Sequence, residues 1–247
     1  VPHSEPVSYI LLAHNEASTI ERELRAIDAA VIRRLPGSEL IVAEDGSSDG
    51  TRGVIEALRD ELRLRLVVGT ERKGYARALI EAAAVASHSL VMLSDGGAKH
   101  DPEDFWKLYA MRGDHDVVIG RKTGRRDQRY RRALTAGLNL FLRLYFGAPL
   151  RDADSGYRLY SREVVNHIVR GSLLFRGFVS AEIALRALAH GFRVAEAPVS
   201  YRLREGESRG LPPRTIARAV IRLLSDARAL KREIRKGRRA RDKPPRR

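Results

Sequence analysis

Short apolar runs that stop abruptly at acidic, amide, basic or glycine residues constrain the fold of this chain most tightly. Val7–Ala13 ends in His14-Asn15-Glu16, residues 40–43 in Glu44-Asp45-Gly46, residues 90–93 in Ser94-Asp95-Gly96-Gly97, and residues 117–119 in Gly120-Arg121-Lys122. Runs this short and this apolar read as strands buried on both faces. Residues 64–68 add another. Helical patterning fills the gaps: from Ser18 or Thr19 to about Arg34, after Gly50 to about Asp60, over 75–87, and from near Pro102 through Phe105, Trp106, Leu108 and Tyr109. Such alternation predicts an α/β fold with a mostly parallel central sheet and helices on both faces. In open sheets of this kind ligands bind beyond the carboxyl ends of the strands. Asn15, Glu16, Asp45, Asp95 and Arg121 all fall just past expected strand ends, so one sheet edge collects them. A single Asp-Gly pair is an ordinary turn; the collective pattern is what points to a ligand.

After Lys122 the character changes. Residues 124–132 carry Arg125, Arg126, Arg129, Arg131 and Arg132 against Asp127. Leu134, Leu138, Phe141, Leu142 and Tyr145 then recur at helical spacing, with Gly147 as C-cap. That stripe suits core packing, a dimer seam or a lipid interface. Helices are expected over 164–169 and 181–190, and short extended pieces over 192–194 and 199–203 on either side of Pro198. A final amphipathic segment, 216–234, sets Ile216, Val220, Leu223 and Leu224 on one face, followed by Ala227, Leu230 and Ile234. Beyond it, 236–247 is too basic and proline-rich to form a core and is expected to be disordered.

Charge narrows the partners. The formal net charge is +15, and residues 228–247 hold eleven Lys or Arg against Glu233 and Asp242, a net of +9. That asymmetry predicts a polyanionic partner for the tail. No aromatic platform or recognition motif accompanies it, so nucleic acid is not expected. No apolar run approaches the ~20 residues of a membrane span. The absence of cysteine excludes disulfides and thiolate metal sites.

Four motifs stand in order: Ala13-His14-Asn15-Glu16, Ala43-Glu44-Asp45-Gly46-Ser47-Ser48-Asp49-Gly50-Thr51, Arg72-Lys73-Gly74-Tyr75-Ala76-Arg77-Ala78-Leu79, and residues 95–103 with Asp101-Pro102-Glu103. Together they resemble the inverting glycosyltransferases of family 2, with the GT-A nucleotide-diphospho-sugar transferase fold. Gly120-Arg121, Asp154-Ser155-Gly156-Tyr157-Arg158 and Gly206-Glu207-Ser208-Arg209 extend the likeness towards the polyprenyl-phosphate and dolichyl-phosphate sugar synthase branch. The resemblance implies a UDP- or GDP-linked sugar donor, a polyprenyl phosphate acceptor and hexosyl or N-acetylhexosaminyl transfer. A family 2 enzyme elongating a glycan at a sugar hydroxyl is the alternative.

By the same resemblance His14, Asn15, Glu16, Asp45, Lys73 and Asp95 surround the donor, with Glu16 and Asp45 on base and ribose and Lys73 on the nucleotide side. Asp49 caps or braces its loop. Asp95 would hold Mg²⁺ or Mn²⁺. Here the chain departs from its relatives, because Gly97 stands where the second aspartate of Asp-x-Asp is usual. Three arrangements stay open: Asp95 working with diphosphate and water, a second acid such as Asp154 completing the site, or arginines taking over much of the metal's role. The implied organisation is one catalytic domain over 1–210, with a nucleotide-sugar half (1–122) and an acceptor half (123–210). An amphipathic helix (211–235) and a basic tail (236–247) follow. The implied location is cytoplasmic, peripheral on the inner face of the cytoplasmic membrane, with an anionic membrane surface as tail partner. A homo-oligomer or a membrane-protein partner stays open.

Acceptor chemistry gives an independent argument. A sugar hydroxyl needs a general base within reach, whereas a lipid phosphate is already anionic and needs cations around it. Arg121, Arg129, Arg158 and Arg209, with Arg131, Arg132, Arg202 and Arg204 nearby in sequence, favour the phosphate. Asp95, Arg121 and Asp154 form the expected catalytic set, Asp154 orienting an arginine or flanking the metal. With a sugar acceptor it becomes the leading base.

Overall fold

A computed structural model describes residues 4–69, 71–124, 129–175, 177–202 and 215–241, those at 129 and 238–241 by backbone alone. Within them the strands β1 (Val7–Ala13), β2 (Glu39–Glu44), β3 (Arg65–Val68), β4 (Leu90–Asp95), β5 (Val117–Thr123), β6 (Arg158–Ser161) and β7 (Val194–Ser200) form one sheet, ordered β3-β2-β1-β4-β6-β5-β7. β6 runs antiparallel to β4 and β5; all other pairings are parallel. β2 lies on one side of β1 and β4 on the other, so the chain reverses its direction of travel across the sheet at β1/β4. Loops diverge at such a point and leave a crevice.

Alternate residues of each buried strand feed opposite apolar layers. Ile10, Leu12, Ile41, Ala43, Val91 and Leu93 pack with α3 (Tyr75–Val85), α7 (Val179–His190) and the Ala227 and Leu230 side of α8 (Ile216–Arg241). Tyr9, Leu11, Val42 and Met92 pack with α1 (Ile20–Ile27), α2 (Thr51–Leu58) and α4 (Phe105–Tyr109). Leu142 of α5 (Arg129–Phe146) is buried and Leu138, Phe141, Tyr145 and Phe146 pack on the first layer. Core packing therefore takes up the stripe expected on that helix, while Leu140 and Leu144 face outward.

Some local expectations change. The first helix is α-helical only to Ile27 and continues as a wider π turn over Asp28–Ile32. β5 extends to Thr123, so Arg121 lies inside a strand, paired with Pro198, and not beyond its end. The two extended pieces around Pro198 are a single strand, because β7 closes the sheet at its edge and a proline N there has no hydrogen bond to lose. Residues 164–169 form a short α turn, α6 (Arg162–Val164), and a π turn. The last helix reaches Arg241, past the start of the segment expected to be disordered.

Candidate active site

The loops after β1, β2 and β4, with the loop entering α3, enclose a cavity of about 190 Å³ lined by His14, Glu16, Asp45, Arg72, Tyr75, Asp95, Gly96 and Lys99. Its floor is rigid. The His14 Nδ1–H donates to the Asp45 carbonyl at 2.8 Å, and the Gly96 N–H donates to the Leu12 carbonyl at 2.8 Å. Asp45 Oδ1 accepts from the Lys73 N–H at 2.7 Å and Asp45 Oδ2 from the Gly74 N–H at 2.9 Å. These bonds tie three sequence-distant motifs to one another.

Two expected donor contacts resolve differently. Asn15 has a left-handed backbone, and its side-chain oxygen accepts from the Ser48 N–H at 2.8 Å, so it braces the loop and does not line the cavity. Lys73 contributes its backbone, but its ammonium turns away onto Glu81, 3.1 Å from both oxygens. Arg72, one residue earlier, lines the cavity in its place. Asp49 acts as the expected brace, accepting from the Ala17 and Thr51 N–H groups.

Asp95 sits at the carboxyl end of β4 with its carboxylate flat against Gly156. A Cβ at position 156 would fall 2.0 Å from Asp95 Oδ2 and 2.3 Å from Oδ1, so any larger residue there would force the Asp95 carboxylate to move. The two segments also join through the Asp95 N–H, which donates to the Gly156 carbonyl at 3.1 Å. Among the described residues Asp95 Oδ1 is buried with no hydrogen-bond partner, and Oδ2 lies 3.7 Å from Lys99 Nζ. Burial works to raise this carboxyl's pKa, but Lys99, Tyr75 and Lys122 hold it below the ordinary value. His100 is pushed down to about 3 by burial and by Lys99, and it stacks on Tyr157 as a neutral ring.

The loop that follows turns inward. Gly97 and Ala98 have positive φ, and both N–H groups donate to the buried Glu23 Oε2, at 2.9 and 3.0 Å. Burial raises Glu23 to about 7. Sequence reasoning missed Glu23, although an acid on the apolar Ile20-Leu24-Ile27 stripe of α1 was a signal. It also missed Lys99 and Lys122.

The second-half residues divide sharply. Lys122 donates its N–H to Asp152 Oδ2 at 3.0 Å, with Nζ 3.4 Å from Oδ1, and its charge acts on both Asp95 and Asp154. Consecutive strand residues face opposite ways, so Arg121 points away from the side Lys122 serves and does not line the cavity. Asp154 Oδ1 accepts from the Ala181 N–H at 3.3 Å, in the first turn of α7. Burial, with Asp95 adding to it, raises Asp154 to about 7 against the pull of Lys122 and Arg158. Arg158 is the clear correction among the expected acceptor arginines. It is fully buried, and its guanidinium donates to the carbonyls of Ser155, Ser180 and Ala153. A phosphate cannot reach it. The side chain of Arg129, and Arg204 and Arg209 altogether, lie outside the described residues.

The donor set for a divalent ion is thin. Of the Asp95 oxygens, Oδ1 is covered and Oδ2 faces an ammonium; Asp45 already accepts backbone N–H bonds, and position 97 has no side chain. Among the described residues no group of three His, Asp or Glu could hold a metal. These residues do not fit a Mg²⁺ or Mn²⁺ site built by the protein.

The family model for Glycosyl transferase family 2 matches residues 8–169. The chain belongs to that family. As a family 2 glycosyltransferase it is 29% identical over 198 residues to the polyprenol monophosphomannose synthase of Mycolicibacterium smegmatis, across 75% of each chain. It is 27% identical over 209 residues to the dolichyl-phosphate hexose transferase of Haloferax volcanii, across 83% of this chain and 86% of that one. Among solved structures, glucosyl-3-phosphoglycerate synthase from Mycobacterium tuberculosis, in complex with Mn²⁺, UDP and glucosyl-3-phosphoglycerate, superposes with a TM-score of 0.66 at 22% identity. That match covers 90% of this chain and 80% of that one, and it supports the fold. No helix among the described residues is long and apolar enough to cross a membrane.

Proposed function

We propose that this family 2 glycosyltransferase moves one sugar from a UDP- or GDP-linked donor to a polyprenyl phosphate. The observation that carries the donor side is the single cavity joining His14, Glu16, Asp45, Arg72, Asp95 and Lys99 from four separate loops. Glu16 and Asp45 offer carboxylates to base N–H and ribose hydroxyls. Arg72 and Lys99 bring positive charge to the diphosphate, where negative charge grows as the glycosidic bond breaks. An acceptor phosphate oxygen attacks the anomeric carbon from the opposite side; that bond forms, the bond to the diphosphate breaks, and the nucleoside diphosphate leaves with the electron pair. Attack from the opposite side inverts the anomeric centre.

The acceptor rests on the names of the relatives and on the surface. Leu140 and Leu144 of α5 and Val220 and Ile221 of α8 are exposed apolar residues, on helices that also carry many arginines. Exposed apolar residues on arginine-rich helices suit an anionic membrane, where each basic residue contributes about 1 kcal/mol. The enzyme would work peripherally at the cytoplasmic face. One observation favours a second acceptor: Asp154, raised to about 7, has the basicity of a general base for a sugar hydroxyl. Incubation with labelled UDP- and GDP-sugars and either polyprenyl phosphate or an oligosaccharide separates the two. Label passing into the organic phase is expected; label on the oligosaccharide alone would replace the lipid with a glycan.

A further inference from the structure

We propose that Lys99 is a built-in cation that takes the place of the divalent metal, so that this chain binds the nucleoside diphosphate without one. The inference rests on the donor-binding role above and adds how the cavity balances the diphosphate charge.

Three features of the loop after Asp95 support it. Position 97, the third place of the Asp-x-Asp pattern that the resemblance implies, is a glycine without a carboxylate, and its backbone has a positive φ. The Gly97 and Ala98 N–H groups are held on Glu23 Oε2, which fixes the loop from below. A side chain at 97 would also have to adopt φ +97, a conformation that only glycine takes without strain. Two residues on, Lys99 reaches back so that Nζ lies 3.7 Å from Asp95 Oδ2, and both residues line the cavity.

The exchange is electrostatically coherent. An Asp-x-Asp site places two negative charges to hold a doubly positive ion. Here one negative charge holds one positive side chain; in both arrangements the charges balance and a cation stands beside the carboxylate to meet the diphosphate. The remaining Asp95 oxygen, Oδ1, is buried and so is poorly placed to serve as a second coordinating atom. Lys122 lies near enough for its charge to act on Asp95 as well, and Arg72 lines the same cavity. A lysine ammonium is a compact point charge with three donors, suited to phosphate oxygens.

Equilibrium binding of UDP and of GDP to the purified chain, in EDTA and in millimolar Mn²⁺, tests this. The better-bound nucleotide should keep its affinity within about threefold between the two conditions. In EDTA, Lys99→Gln should weaken it by about tenfold, ~1.4 kcal/mol, and Lys99→Arg should restore most of the loss. Lys99 is at the cavity rim, and circular dichroism of each variant checks that the fold is retained. Wild-type affinity that falls tenfold or more in EDTA overturns the inference and leaves donor binding intact. Affinity unchanged in Lys99→Gln also overturns it. Binding of neither nucleotide under either condition overturns both this inference and the donor role.

Discussion

The cavity and the strands of the second half use charge in different ways. Around the cavity, Asp95 Oδ1 has no hydrogen-bond partner among the described residues, and Arg72 and Lys99 border open space. In the second half, the charged residues mostly satisfy one another or the backbone. Arg158 saturates three carbonyls, Asp152 holds both the N–H and the ammonium of Lys122, and Glu196 accepts the Arg151 and Asp152 N–H groups. A charge in a sequence can serve a ligand or the fold. Only partners in space tell which, so counting arginines after residue 120 overstates how many can meet a phosphate.

The contact between the halves offers the sharpest way to break this contrast. Gly156→Ala would drive a methyl group into the Asp95 carboxylate, and Asp95→Asn would remove its charge. Each should lower sugar transfer by about a hundredfold or more, the scale of losing a preorganised electrostatic group, while thermal melts of Asp95→Asn stay close to wild type. Near-normal turnover in Asp95→Asn would remove the first half's central residue from the chemistry.

Arg158 tests the other side. Arg158→Met leaves three buried carbonyls unsatisfied, at about 1 kcal/mol or more each. A cost of about 3 kcal/mol corresponds to a fall in melting temperature of roughly 6–12 °C for a chain of this size. A ligand role would show the reverse: a raised KM for the acceptor at an unchanged melting temperature.

A pH series sharpens the comparison further, because one raised carboxyl lies in each half. Glu23 and Asp154 both stand at about 7 in the folded chain, chiefly through burial. Each binds its proton more tightly folded than unfolded, so its stabilising contribution is complete below about pH 4 and is lost as pH rises towards about 7. Melting temperature should therefore fall across that window from these two groups, and Glu23→Gln or Asp154→Asn should each flatten part of the slope. The same series reports on the acceptor. Transfer that rises through pH 7 in wild type and loses that rise in Asp154→Asn would favour a sugar hydroxyl.

The smallest effect is expected at the end of α8. Ala227 and Leu230 are buried and Lys231 bonds the Tyr145 carbonyl, so truncation should follow Ile234 to spare the core. The shortened chain should melt normally and float several-fold less with anionic vesicles, with no change on neutral ones. Equal flotation with both would remove the tail from membrane binding.

Much of this architecture is local and was therefore legible in one dimension. Buried strands betray themselves as apolar runs, and the residue after a strand sits at the sheet edge wherever the strand ends up. That is why His14, Glu16, Asp45 and Asp95 meet in one cavity as their motifs predict. The loss of the second aspartate at Gly97 is equally plain in the sequence, as is the basic excess beyond residue 228. Tertiary structure alone decided which side chains are spent. Arg121 was displaced because β5 pairs with β7 four residues further than its apolar run suggests. Lys73 turned to Glu81, eight residues away, and Glu23 crossed to a loop 74 residues away. Hydrogen bonds and ion pairs form by distance in space, and their energies depend on burial. No pattern along the chain carries either quantity.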